Sequence, residues 1–280
     1  MRRLLFTIVA VPVAVACLWY GDWALAGLLA ILSAIGAWEF FRMCRGVGVE
    51  PLDTIGVPAA GITPLLLHAN HRGVFTTPPA ALAVLVLVIL AAAIWMRGLT
   101  RKPLAAVATT VFGIAYTGGM LSFAYALRYH EYAVGQRAGA ALVLLPFVLT
   151  WTSDTGAYLV GRAIGRHKLI PSISPGKTIE GSVGALVLCA VVAWFYVRGV
   201  LSPSAHLTLT PVATIVFGLV VSVAAQVGDL AESMLKREAG VKDSSRILPG
   251  HGGILDRFDG LIFALPVAFL LLGFWLKVSP

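Results

Sequence analysis

Long apolar runs separated by short polar breaks make up most of the chain. A membrane-crossing helix needs about 20 predominantly apolar residues. On that criterion the pattern predicts about nine transmembrane helices, near 4–20, 23–42, 53–68, 78–96, 104–127, 139–161, 181–198, 210–235 and 260–278. The expected fold class is therefore all-α, a single polytopic integral membrane domain over residues 1–280, with its polar chemistry concentrated at 150–260. The third run is the weakest, because Pro58, Gly61 and Pro64 interrupt it. Gly118 and Gly119 in the fifth run and Gly181 and Gly184 in the seventh are read as places where helices pack closely. Trp19, Trp23, Trp38, Trp95 and Trp275 fall near predicted helix ends, as interfacial anchors do.

Composition agrees with this reading: 59% of the 280 residues are hydrophobic and only 12% are charged, with a mean hydropathy of +0.89. The net charge of +8 does not indicate nucleic acid, since the basic residues sit in short loops and form no contiguous patch. An anionic membrane surface or a phosphorylated substrate suits them better. If the N-terminus is cytoplasmic, 16 of the 21 Lys and Arg residues fall on the cytoplasmic side and only Arg72, Arg128, Arg137, Arg198 and Lys277 fall outside, which the positive-inside rule favours. Cys17, Cys44 and Cys189 lack disulfide or zinc-ligand spacing and are read as packing residues. The basic start and the apolar run to Cys17 resemble a signal peptide, but an uncleaved first helix is the simpler expectation.

Two polar islands break the pattern. The stretch Ser233–Asp259 carries five basic and four acidic residues between two apolar runs. Charge beside hydrocarbon is costly and persists where it does chemistry. If the helix before it continues far enough, Asp229, Glu232, Ser233 and Lys236 share one face over about two turns. The next helix opens with Asp256-Arg257-Phe258-Asp259, where one carboxylate could serve only to cap the helix. Carboxylates gathered with Asp229 would make a hard oxygen site of the kind that holds Mg²⁺ against phosphate. The turn Gly250-His251-Gly252-Gly253 could aim backbone N–H groups at an anion. Glu232 and Glu238 are equally well explained as solvated helix-end residues. The other island runs from Asp154 in an apolar span, through Arg162, Arg166 and Lys168, to Ser174-Pro175-Gly176-Lys177-Thr178-Ile179-Glu180-Gly181. Asp154 needs a cation beside it if it lies in the membrane. Lys177 suits phosphate, whereas Arg162 and Arg166 are explained by topology alone. A Walker loop is excluded because Pro171 stands where its first glycine would be. His68 and His71 are expected to be solvated loop residues.

At these residues the chain resembles the phosphatidate cytidylyltransferase (CDP-diacylglycerol synthase) family. The resemblance rests on Ser233, Leu235-Lys236-Arg237, Lys242-Asp243, Ser245, Leu248-Pro249, His251-Gly252-Gly253 and Asp256-Arg257-Phe258-Asp259, with Asp154, Tyr158 and Ser174–Gly181 upstream. It implies transfer of CMP from CTP to phosphatidate, giving CDP-diacylglycerol and pyrophosphate, with Mg²⁺ required and K⁺ accompanying it. It also implies that Asp229 and Asp256 are the metal ligands, that Asp259, Lys236 and Arg237 join them in the reaction, and that Asp154, Ser174, Lys177, Lys242, His251, Gly252, Gly253 and Arg257 contact the substrates. The expected setting is the inner (cytoplasmic) membrane, with N-terminus and active site on the cytoplasmic side, membrane lipid around the chain, no nucleic acid, and a homodimer compatible with the likeness. Two other functions fit parts of the pattern. A CTP-dependent polyprenol kinase would release CDP, and a secondary transporter would show a repeat with charges near the membrane midplane. A non-catalytic scaffold is the least favoured, since it would tolerate loss of Asp256.

Overall fold

The computed structural model describes residues 2–248 and 252–278; His251, one of the expected substrate contacts, lies outside the described residues. Among those residues nine helical rods follow the apolar pattern. They are α1 (Arg2–Tyr20), α2 (Asp22–Gly46), α3 (Asp53–His71), α4 (Ala81–Met96), α5 (Pro103–Gly113) running through a π-helical stretch into α6 (Met120–Arg128), α7 (Gly135–Ile164), α8 (Ile179–Tyr196) running on into α9 (Ser202–Ala205), α10 (Pro211–Glu238) and α11 (Leu255–Trp275). Among the described residues six helices are long and apolar enough to cross a membrane: α2, α5–α6, α7, α8–α9, α10 and α11. The helix α4 is 16 residues long, short of a full crossing. The rod α3, weakened in the sequence by its prolines, is nonetheless continuous through Pro58 and Pro64. Proline interrupts the ladder by removing an N–H, so the Ala60 carbonyl loses its donor at Pro64. Gly118 packs against that carbonyl, where an added Cβ would come within 2.6 Å. Gly119 has open space instead, so the packing role expected for both glycines belongs to Gly118.

Two compact units divide the chain: Met1–Tyr125 with Leu235–Arg257, and Ala126–Met234 with Phe258–Pro280. The first gathers α1 to α5 around Leu25, Phe41, Leu52, Ile89 and Leu121, all at most 1% exposed. His68, expected in a solvated loop, is fully buried here: its Nδ1 lies 2.7 Å from the Tyr125 hydroxyl and its ring 4.1 Å from that of Trp23. Only a helix extending to His71, three residues past the expected end, places His68 inside the packing.

The second unit is built on α7 and α8. The buried positions of α8 are Gly181, Ala185, Cys189 and Ala193, a stripe of small residues at every fourth place. Its large side chains, Val183, Val187, Val191 and Phe195, are exposed. That inverted pattern suits a helix that meets hydrocarbon on its outside and another backbone on its inside. Gly181 and Gly184 allow the approach, with added Cβ atoms falling 2.6 Å from the Ala157 carbonyl and 2.5 Å from Val160. Gly184→Val is expected to cost about 1–3 kcal/mol by overpacking, read as a lower unfolding temperature in detergent with the helical content retained. Polar links add to the packing: Ser153 and Ser222 hydroxyls stand 2.9 Å apart, and Gln226 Nε2 donates to Ser222 at 3.2 Å. Two short antiparallel strand pairs interrupt the all-α pattern: a hairpin of β1 (Lys168–Ile170) with β2 (Ser174–Thr178), and a long-range pairing of β3 (Leu207–Thr208) with β4 (Lys277–Val278).

Candidate active site

In the first unit the polar segment after α10 folds onto the start of α11. The Asp256 side chain, 7% exposed, is locked by its surroundings. Its Oδ2 accepts from Ser244 N at 2.9 Å, Ser244 Oγ at 3.0 Å and Gly253 N at 2.7 Å. Its Oδ1 receives Lys236 Nζ at 2.7 Å. The two glycines before it are explained by the same geometry. Gly252 has φ +81°, a left-handed conformation that favours glycine, and an added Cβ would meet Asp256 Oδ2 at 2.6 Å. A Cβ on Gly253 would overlap Ser244 Oγ and Glu39 Oε1. The turn thus aims its Gly253 N–H at a protein carboxylate, where the sequence suggested an anionic substrate.

Glu39, which the sequence reading passed over, underlies this arrangement. It is fully buried on α2 and accepts from Ser244 Oγ at 3.0 Å, Ser245 Oγ at 2.5 Å, Ile254 N at 2.9 Å and Leu255 N at 2.8 Å. The last two are orphan donors at the α11 N-terminus, which a carboxylate both satisfies and stabilises against the helix dipole. One signal was available: Glu39 is the lone acid in an otherwise apolar stretch, AIGAWEFF.

Also in this unit, Arg42, Lys242, Arg246 and Asp243 line an open pocket of about 530 Å³ with Val241 and Ser245. Lys242 was expected to contact substrate; Arg42 and Arg246 join it. Arg237 and Arg257 are exposed.

In the second unit, the β1–β2 hairpin carries Lys177 to α10. Glu180, in the first turn of α8, fastens the hairpin by accepting from Arg166 N at 3.1 Å and His167 N at 3.2 Å, with His167 Nδ1 at 2.6 Å. Thr178 caps α8 by accepting from Gly181 N at 3.2 Å. Between these anchors, Lys177 Nζ reaches Asp229 Oδ2 at 2.7 Å. Asp229 Oδ1 accepts from Ser233 Oγ one turn later at 3.3 Å, so the helix does continue as far as the shared face required. Gly228 lies against the backbone of Asp259 and Gly260, with an added Cβ 3.1 Å from Gly260 Cα. Asp229 and Asp259 therefore flank one close crossing of α10 and α11. Ser174 is half-buried in β2, paired with Ile170. Asp154 is on the exposed side of α7, next to the buried Ser153. Glu232, for which a solvated helix end was one of two equal readings, is fully buried.

Among the described residues no three His, Cys, Asp or Glu side chains stand together as a metal site. What each unit offers is one well-placed carboxylate, Asp256 with Oδ1 outside the backbone network and Asp229 at 31% exposure. Mg²⁺ is held in this way, by one or two carboxylates with phosphate oxygens and water completing the shell. The donor set fits Mg²⁺ beside a phosphorylated substrate and does not fit an all-protein cage.

Comparison with known proteins places the chain in a family. Over 162 residues, 58% of this chain, it is 43% identical to a protein of Staphylococcus haemolyticus named phosphatidate cytidylyltransferase, of which the match covers 57%. A Haemophilus influenzae protein of the same name is 42% identical over 157 residues, 55% of this chain and 51% of its own length. The matched region thus spans a little over half the length of these relatives. A model described as the cytidylyltransferase family matches residues 1–275, and the chain belongs to that family.

Proposed function

We propose that the protein transfers CMP from CTP to phosphatidate, forming CDP-diacylglycerol and pyrophosphate at the cytoplasmic side of the membrane. The observation that carries this reading is the Asp256 centre: the densest charge in an apolar chain folds into a carboxylate held by three N–H and O–H donors and one lysine. Such fixed placement is what electrostatic catalysis requires. The names of the relatives supply the substrates.

Asp256 and Asp229 are the carboxylates to which Mg²⁺ would bind. When bound, the metal offsets phosphate charge and favours departure of pyrophosphate. The protein's own groups do the rest. A phosphatidate oxygen attacks the α-phosphorus of CTP in line; the new P–O bond forms as the bond to the β-phosphate bridging oxygen breaks, and pyrophosphate leaves with that electron pair. No side-chain nucleophile is needed, because the phosphate monoester supplies one. Lys177, Lys236, Arg237 and Arg257 offset the charge that accumulates. The pocket of Arg42, Lys242 and Arg246 is suited to an anionic headgroup or nucleotide phosphate. Asp154 and Ser174 remain proposed substrate contacts, as does Asp259 a reaction residue, on the strength of the family resemblance. K⁺ and a homodimer rest on that resemblance alone.

Lys177→Met is expected to lower kcat/KM for CTP about 100-fold, checked by steady-state kinetics beside an unfolding scan that should move little. The reading itself is tested with the purified protein in detergent, phosphatidate, a polyprenol, Mg²⁺ and CTP labelled at the γ-phosphate. Label should appear in pyrophosphate. Release of CDP, with label passing to a lipid alcohol, would make it a kinase instead.

A further inference from the structure

We infer that Glu39 is a positioning residue for Asp256, acting through Ser244 and the first amides of α11. The inference rests on the proposal that Asp256 takes part in the reaction. A buried carboxylate is costly unless hydrogen-bonded, and Glu39 meets that requirement in an ordered way. Each of its oxygens takes one serine hydroxyl and one main-chain amide: Oε1 takes Ser245 Oγ and Ile254 N, Oε2 takes Ser244 Oγ and Leu255 N. It therefore ties residues 244–245 and residues 254–255 to one point on α2.

Asp256 is the next residue along. Its Oδ2 depends on Ser244 twice, through the amide at 2.9 Å and the hydroxyl at 3.0 Å. The Ser244 hydroxyl is equally far from Glu39, at 3.0 Å, and has a single proton to donate. The two carboxylates are therefore coupled through that shared group as well as through the Leu255–Asp256 peptide bond. The consequence is a fixed division of labour at Asp256: Oδ2 is consumed by the protein, and Oδ1, which Lys236 contacts, is the oxygen that would serve Mg²⁺.

A purely structural Glu39 would make a different prediction. Ser244 and Ser245 are both 3% exposed and both bond Glu39, Ser245 at the shorter distance. Only Ser244 touches Asp256. If Glu39 merely held the segment in place, removing Ser245 Oγ would be at least as harmful as removing Ser244 Oγ. If it positions Asp256, the two serines separate.

The test uses the full-length protein in detergent and four variants, Glu39→Gln, Ser244→Ala, Ser245→Ala and Asp256→Asn. Mn²⁺ binding is followed directly by electron paramagnetic resonance in the presence of CTP, and the Mg²⁺ concentration for half-maximal turnover is measured beside it. Glu39→Gln puts an NH₂ where an acceptor was; a serine hydroxyl can turn to accept from it, but the Ile254 or Leu255 amide cannot. Glu39→Gln and Ser244→Ala are expected to weaken metal binding about 10-fold, Ser245→Ala less than about 2-fold. Combining Glu39→Gln with Ser244→Ala should add little to either, because both act along one path. Equal metal shifts for Ser244→Ala and Ser245→Ala, or lower unfolding temperatures with metal binding unchanged, would overturn the inference. If Glu39→Gln fails to fold, the two serine variants decide it alone. Asp256→Asn separates this inference from the reading beneath it. If that variant binds metal and turns over like the wild type, both fall; if it is inactive while the serine variants match each other, only the positioning role falls.

Discussion

Asp256→Asn is expected to reduce conversion of CTP to pyrophosphate by about 1,000-fold and to leave the fold intact. Both halves of that expectation come from the hydrogen bonds. The Oδ2 position accepts from Ser244 N and Gly253 N, which cannot face an NH₂, so the amide oxygen of Asn must take that place. Its NH₂ then falls where Oδ1 was, against Lys236 Nζ. The loop keeps two main-chain hydrogen bonds, while the one oxygen left for a metal is replaced by a donor. Helical content and unfolding temperature should change little, and Asp229→Asn should show the same loss of turnover. Substantial activity in either variant would contradict the assignment.

Gly253→Ala is the second large effect. A Cβ at this position would overlap both Ser244 Oγ and Glu39 Oε1, and neither has room to yield. Glu39 is fully buried and fixed by its other donors, and Ser244 is 3% exposed. Relief would require moving the turn off Asp256, taking the Gly253 N–H with it. Turnover is expected to fall about 100-fold, with a loss of about 1–3 kcal/mol in stability from overpacking. Gly119→Ala, where an added Cβ meets nothing within 4 Å, is the matched control and should behave as wild type. Steady-state turnover and thermal unfolding of the two variants side by side check this.

Much of the architecture was readable because lipid imposes a simple rule on sequence: apolar runs of sufficient length become helices whatever their internal detail. That rule located all nine rods, α3 with its two prolines included. It did not foresee how short one of them is, since α4 ends at Met96 after only 16 residues. It also said nothing about the β1–β2 hairpin, whose register depends on Glu180 and Thr178 fastening its ends.

The site was readable in part. The pairings of Lys177 with Asp229 and Lys236 with Asp256 involve residues that the two polar islands and the spacing along α10 had already singled out. Glu39 carries no such signal, because a solitary acid adds no charge density. The principle that a charge in an apolar run needs a reason applied to it as much as to Asp154. The structure places those two acids oppositely, Glu39 fully buried and Asp154 exposed. Hydropathy cannot separate such cases, because it does not record which side of a helix faces a neighbour. Nor could it foresee that the Gly252-Gly253 turn serves Asp256, since spacing names a flexible turn without naming what the turn points at.

Asp229 and Asp256 are each proposed as ligands of a divalent cation that binds with the nucleotide. The most direct measurement is Mn²⁺ binding to the purified protein by electron paramagnetic resonance, with and without CTP, for the wild type, Asp229→Asn and Asp256→Asn. The wild type should bind Mn²⁺ more tightly when CTP is present, and each variant should lose that binding while remaining folded. Wild-type Mn²⁺ affinity retained in both variants would contradict the assignment of these carboxylates as metal ligands.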